Sequence, residues 1–280
     1  MHVRLFVTAL LALALASCAM KAEEPESQRF PTSKDYPATM MGRISVTAGD
    51  GLGWKLSALE TPKRENAAWK VVIITGTPSW SEYWAPTLAA APQEWEMVVA
   101  DRPGFSLSEP QHAVTKIADQ ARALSALLEG PADQKVVLVG QSYGAPIAAW
   151  MASQHPDKVK AVVLMSAFFG QKGPTARRLT GLGAVAGPLL PRDLKNALAE
   201  VRGQDKQLPT IRAAMKGMTQ PIVVLHGDKD TFVTPEAAQE LAQSLGARLV
   251  MVPGGDHFLN ACCVKDVVGA VELAVREVEG

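Results

Sequence analysis

Three residue types in this 280-residue chain could together perform acyl transfer: a hydroxyl at Ser142, a carboxylate at Asp230 and an imidazole at His257. Ser142 sits in the pentapeptide Gly140-Gln141-Ser142-Tyr143-Gly144. The Gly-x-Ser-x-Gly pattern alone is weak, because ordinary glycine and serine usage produces it by chance in about one chain in ten of this size. Its surroundings carry more weight. The apolar run KVVLVG precedes it and the helical pattern APIAAWMA follows. Strand, tight turn and helix form the setting in which such a pentapeptide becomes a nucleophile elbow. In so sharp a turn, side chains at Gly140 and Gly144 would collide. The turn lifts Ser142 Oγ into the open at a helix N-terminus, where developing negative charge is favoured. The competing reading makes Ser142 an ordinary helix N-cap.

A serine hydroxyl is a poor nucleophile without a base. His257 lies on the Gly-rich loop of RLVMVPGGDHFLN, directly after the last strand-like run. Of the other histidines, His2 lies in the apolar leader, His155 precedes a strand and so falls at the opposite edge, His112 sits on an earlier loop, and His226 ends a strand. The base in turn needs an orienting carboxylate, and PIVVLHGDKDTFVTPEAA offers two. Asp230 is further out along the loop and better placed to reach a neighbouring strand's histidine, whereas Asp228 can serve the turn itself. Two backbone N–H groups must face the developing oxyanion. Tyr143, next after the nucleophile, supplies one. The turn Gly76-Thr77-Pro78 supplies the other, through Thr77, unless that Gly-x-Pro is only a tight turn.

The elements that must position these groups are legible as alternating patterns. Seven short runs rich in β-branched residues (RISVT, KVVIIT, EMVVA, KVVLVG, KAVVLMS, PIVVLHG, RLVMVP) are separated by helical patterns such as Val114, Ile117, Ala118, Ala121, Leu124 and Leu128. Another runs along Val264, Val267, Val268, Val271, Val275 and Val278. Continuous apolar strands alternating with amphipathic helices predict a mostly parallel sheet covered on both faces. In such sheets, sites lie outside the carboxyl ends of the strands, where all four chemistry-bearing loops fall. Residues 170–220 lack a strand-like run and read as a helical cap over that edge.

The order Ser142, Asp230, His257, together with DRPGFSLSEP after an earlier strand, resembles the α/β-hydrolase superfamily from about Arg43 to the end. The resemblance is closest to capped members with a His-Gly-x-Pro oxyanion loop, although Thr75 stands where that loop usually has histidine and Ser106 where glycine is common. It implies an α/β-hydrolase fold with a small helical cap and a serine hydrolase that cleaves carboxylic esters through an acyl-enzyme, without a cofactor. Superfamily members with an aspartate nucleophile, the epoxide hydrolases and haloalkane dehalogenases, are disfavoured by Ser142. The same triad could act on amide, thioester or carbon–carbon bonds or as a perhydrolase; a non-catalytic binding protein on a hydrolase scaffold is the remaining alternative.

Composition bounds partners and compartment. Lys plus Arg and Asp plus Glu are both 28, with no long basic run, so the electrostatic footprint of nucleic-acid binding is absent. A small apolar ester is the expected substrate. The cap, with Trp80, Tyr83 and Trp84 from the oxyanion loop, is expected to line an acyl pocket of limited depth, suited to short or medium chains. The apolar run Leu5–Ala16 is too short to span a bilayer and reads as a secretory signal over residues 1–17. Leu15-Ala16-Ser17-Cys18 resembles a bacterial lipobox, implying lipidation at Cys18, a tether over residues 18–40 and a cell-envelope lipoprotein facing the periplasm; an ordinary small-x-small cleavage site also fits. The hydrolase domain follows over residues 41–280. Cys262 and Cys263 are adjacent, too close for an unstrained bridge, and are expected to be free, buried thiols.

Overall fold

The computed structural model describes residues 30–280 apart from 65 and 66. The expected signal peptide, Cys18 and most of the tether lie outside the described residues. The folded unit runs Thr32–Gly280. Eight strands form one sheet: β1 Gly42–Thr47, β2 Lys55–Glu60, β3 Trp69–Ile74, β4 Trp95–Ala100, β5 Lys135–Gln141, β6 Val159–Met165, β7 Ile222–Gly227 and β8 Arg248–Val252. Their order is β1-β2-β4-β3-β5-β6-β7-β8. The β1–β2 and β2–β4 pairs are antiparallel, and all the others are parallel.

Seven strands coincide with the apolar runs; the eighth, β2, does not. Its sequence, KLSALE, has no β-branched residue, and its pairing with both β1 and β4 supplies what local propensity lacks.

The parallel strands read as continuous apolar runs because both their faces are covered. Val72, Ile74, Leu138, Val162 and Leu164 point to one layer, beneath helices α2 Ile117–Leu124, α3 Gly144–Gln154 and α7 Pro235–Leu245. Val71, Ile73, Val137, Val139 and Val163 point to the other, against α1 Ala85–Ala89 and α9 Val264–Glu279. Truncating a side chain such as Leu138, which is fully buried, removes about 2–5 kcal/mol.

Register brings the active edge together. Ile74 pairs with Gly140 and Gln141 with Met165, so β3, β5 and β6 end nearly level. Between β6 and β7 the chain forms α4 Pro174–Ala186, α5 Arg192–Gln204 and α6 Leu208–Lys216, the helical cap expected over residues 170–220. The last two helices, α8 Leu259–Cys262 and α9, meet at Cys263.

That junction corrects the reading of the cysteines. Cys262 and Cys263 are joined by a disulfide across a Cα–Cα distance of 3.8 Å, and Cys262 is exposed. Cys263 has the non-helical backbone φ −137°, ψ 44°, and this break between two helices permits a bridge that adjacency within one helix would not.

Candidate active site

The turn after β5 is built around Ser142, whose φ is +50°. A left-handed conformation at a non-glycine residue costs about 1–2 kcal/mol, so neighbours must hold it. They do so through the Ser142 amide, which donates to the Met165 carbonyl at 2.9 Å, and through the Ser142 carbonyl, which accepts from Ala145 and Phe168, each at 3.1 Å. The two glycines are sterically required, though by partners outside the turn as well as within it. A side chain on Gly144 would strike the carbonyl oxygens of Ile74 and Thr75 at the end of β3, and one on Gly140 would strike α3 at Ala145 and Ala148.

Ser142 Oγ lies 3.0 Å from His257 Nε2. His257 Nδ1 lies 2.7 Å from Asp230 Oδ2. Because a carboxylate only accepts, Nδ1 donates to Asp230 and Nε2 is left to accept the serine proton. The other Asp230 oxygen accepts from the amides of Phe232 at 2.8 Å and Val233 at 3.0 Å, which fixes the carboxylate. Asp228 is exposed and accepts from the Gly254 amide at 2.8 Å, so it ties the turn after β7 to the loop after β8 that carries His257 and does not itself reach the imidazole. Of the two candidates, the structure brings Asp230 to the histidine. His226 is fully buried, its Nε2 beside the Val233 carbonyl at 3.1 Å, and burial lowers its pKa. His112 and His155 are exposed on other loops.

Sequence reasoning missed the aromatic slot around the imidazole. The Phe232 ring stacks on His257 at 4.8 Å, and Phe258 meets it edge-on at 5.3 Å. Both stand within two residues of a triad member, but sequence proximity says nothing of ring orientation.

The oxyanion side is equally well braced. Gly76 packs so near Ser142 that an added Cβ would lie 3.2 Å from the serine's own. Among the described residues, neither the Thr77 nor the Tyr143 amide donates to a backbone carbonyl. Arg102, from the DRPGFSLSEP turn, is fully buried and donates to the Gly76 carbonyl at 2.8 Å. That carbonyl belongs to the same peptide unit as the Thr77 N–H, so the guanidinium fixes the plane of the candidate oxyanion donor. The guanidinium also lies over the Tyr143 ring, 5.2 Å from its centroid. A buried Glu200, from cap helix α5, binds Arg102 in bidentate fashion at 2.7 and 3.0 Å and accepts the Thr77 hydroxyl at 2.6 Å. Gln120 completes the cluster by bonding both Arg102 and Glu200. Burial and the Glu200 charge raise the Tyr143 phenol pKa.

A cavity of about 460 Å³ opens onto Ser142 and His257. Phe168, Leu190, Ala197, Leu198 and Val201 form much of its wall, with Lys172 as a charged lining residue. The aromatic wall expected from the oxyanion loop is not there. Trp84 is buried in the core beneath the sheet, Trp80 donates its indole N–H to Asp193 at 2.7 Å, and none of Trp80, Tyr83 and Trp84 lines the cavity. The turn carries these rings away from the serine, leaving the cap to form the apolar wall. Among the described residues, no cluster of three or more His, Cys, Asp or Glu is arranged to hold a metal.

Residues 70–180 match the family described as alpha/beta hydrolase fold. The esterase of Thermogutta terrifontis superposes with a TM-score of 0.66 at 19% identity, covering 85% of this chain and all of that one. The chain has the α/β-hydrolase fold. Among relatives of this chain by sequence, RutD of Enterobacter cloacae, named for carbamate hydrolysis, is 25% identical over 229 residues, 68% of this chain and 85% of RutD. Haloalkane dehalogenase 2 of Mycobacterium tuberculosis is 28% identical over 100 residues, 35% of each chain. The family match and these relatives support hydrolase chemistry.

Proposed function

We propose that this protein is a serine hydrolase that cleaves carboxylic esters. The observation that carries the reading is the continuous chain from Ser142 Oγ through His257 to Asp230, with contacts of 3.0 and 2.7 Å, at the floor of an apolar cavity. Ser142 attacks the acyl carbonyl while His257 Nε2 takes its proton. His257 then returns that proton to the leaving alcohol, and Asp230 holds the tautomer and stabilises the imidazolium. The amides of Thr77 and Tyr143 receive the oxyanion. Arg102 serves as a positioning residue by anchoring the peptide unit that carries the Thr77 N–H. Water repeats the cycle on the acyl-enzyme.

The apolar cavity favours acyl groups of about four to eight carbons, since each buried methylene contributes about 0.8 kcal/mol until the wall is reached. Labelling with a fluorophosphonate tests for an activated serine, and turnover of an acyl-chain series tests the pocket. Failure to label defeats the mechanism, and a rise through sixteen carbons defeats the chain-length limit. Amides, thioesters, carbon–carbon substrates and peracid formation belong in the same panel, as do carbamates because of RutD. We further propose that Cys18 is lipidated and tethers the enzyme in a bacterial cell envelope, with the domain on the periplasmic side. Mass spectrometry of the mature N-terminus decides this: a diacylglyceryl-modified Cys18 supports it, and a free Met20 terminus defeats it.

A further inference from the structure

Helix α4 faces the cavity on one side and carries exposed apolar residues on the other. Ala176, Thr180 and Gly183 line the cavity. On the outward side, Leu182 and Val185 are 68% and 82% exposed, and Leu189, in the turn that follows, is 85% exposed. An apolar stripe on a helix is normally covered, yet these side chains face outward from the described residues. Leu179 and Leu182 also line the cavity, so the exposed face is continuous with the mouth leading to Ser142. Such a patch on a protein surface marks an interaction site.

Charge indicates the kind of partner. The chain as a whole is neutral, with 28 basic and 28 acidic residues, but residues 172–195 contain five basic residues and one acid. Arg177, Arg178, Arg192 and Lys195 are exposed. The single acid, Asp193, is occupied by Arg192, the Trp80 indole and the Ser106 amide. Exposed leucine and valine close in sequence to exposed arginine and lysine is the composition of a surface that rests on anionic lipid, with apolar side chains entering the acyl boundary and cations meeting the headgroups.

We infer that the outer face of α4 and the turn after it dock on an anionic bilayer, so that the cavity opens toward the membrane. Docking does not depend on the esterase reading. Its consequence, that esters dissolved in the bilayer reach Ser142 without crossing water, rests on that reading.

The test uses the full chain carrying Cys18→Ala, which removes any acyl anchor, in flotation with vesicles of pure phosphatidylglycerol or pure phosphatidylcholine. Binding to phosphatidylglycerol is expected, weaker by about tenfold or more with phosphatidylcholine or in high salt. Adding Val185→Glu and Leu189→Glu, at positions that do not line the cavity, should abolish it while the melting temperature and turnover of a water-soluble ester persist. If that double variant unfolds, Arg177→Gln with Arg178→Gln replaces it and should remove most of the salt-sensitive binding. Absence of flotation, or binding undiminished by these substitutions, overturns the inference. So does a dimer in sedimentation velocity that the substitutions break, since a second copy would then be what covers the face. Failure of ester turnover in the parent chain with flotation intact would instead count against the esterase reading alone.

Discussion

The carboxyl edge of the sheet and the cap above it meet at one cavity but are built in opposite ways. At the edge, each functional side chain is fixed by backbone: the left-handed Ser142, the two amides on Asp230, and the level ends of β3, β5 and β6. The cap instead presents apolar residues, several of them exposed, and meets the edge through side chains of its own helices, among them Asp193, Asn196 and the buried carboxylate of Glu200. On the proposed function the edge carries the reaction and the cap selects the substrate. Glu200 makes the two interdependent, because a residue that holds the cap also holds the oxyanion loop.

The comparison breaks first if the edge is not the chemical half. Ser142→Ala should lower kcat by about 10⁶ and abolish fluorophosphonate labelling with the melting temperature unchanged, on the scale of nucleophile loss in serine proteases. Turnover at the parent level would refute the assignment. Next in size, Asp230→Asn should reduce kcat by about 10⁴ through loss of the correct tautomer, whereas Asp228→Asn, whose amide oxygen can still accept from the Gly254 amide, should change kcat little. The opposite ranking would transfer the role to Asp228.

The coupling between the halves is sharpened by a smaller effect. Arg102→Lys cannot hold the Gly76 carbonyl and Glu200 together, and Glu200→Gln weakens the same anchor from the cap side. Each should lower kcat by about 10²-fold, the scale of losing one oxyanion donor, with KM nearly unchanged. Active-site titration separates this from a merely smaller folded fraction. An unchanged kcat per titrated site, with only a lower melting temperature, would make the cluster purely structural.

The smallest expected effect concerns stability at the edge. Burial lowers the His226 pKa, so below its ordinary value of about 6.5 the unfolded chain takes up a proton that the folded chain resists. Its contribution is complete above that pH and is lost as pH falls, by at most about 1.4 kcal/mol per pH unit. Denaturation measured between neutral pH and mild acid should therefore show a flatter profile for His226→Asn than for the parent. Equal slopes would show that other groups govern acid sensitivity.

Much of the edge was legible in the sequence because its constraints are local. A sharp strand-to-helix turn demands glycines around Ser142, parallel strands buried on both faces demand unbroken apolar runs, and Thr234-Pro235 marks the start of α7 as it does in the structure. The fold and the pairing of Asp230 with His257 follow from the order of loops along such a sheet, whereas Asp228, expected to serve its own turn, instead binds the Gly254 amide on the neighbouring loop.

What the sequence by itself determined was thus the sheet, the side of it that carries chemistry, and the residues that meet there. Only the tertiary structure decided the rest. β2 exists because two neighbours pair with it, and the Trp80–Trp84 turn leads its rings away from the serine. The cysteine pair closes because a helix break falls between two helices, and Arg102 reaches Gly76, Gln120 and Glu200, which are far from it in the chain. The physical reason is range. Turn sterics and hydrophobic period act over a few residues and leave a pattern in the chain, whereas a guanidinium satisfied by distant carbonyl, amide and carboxylate groups, or a ring turned from one wall to another, leaves none until the chain has folded.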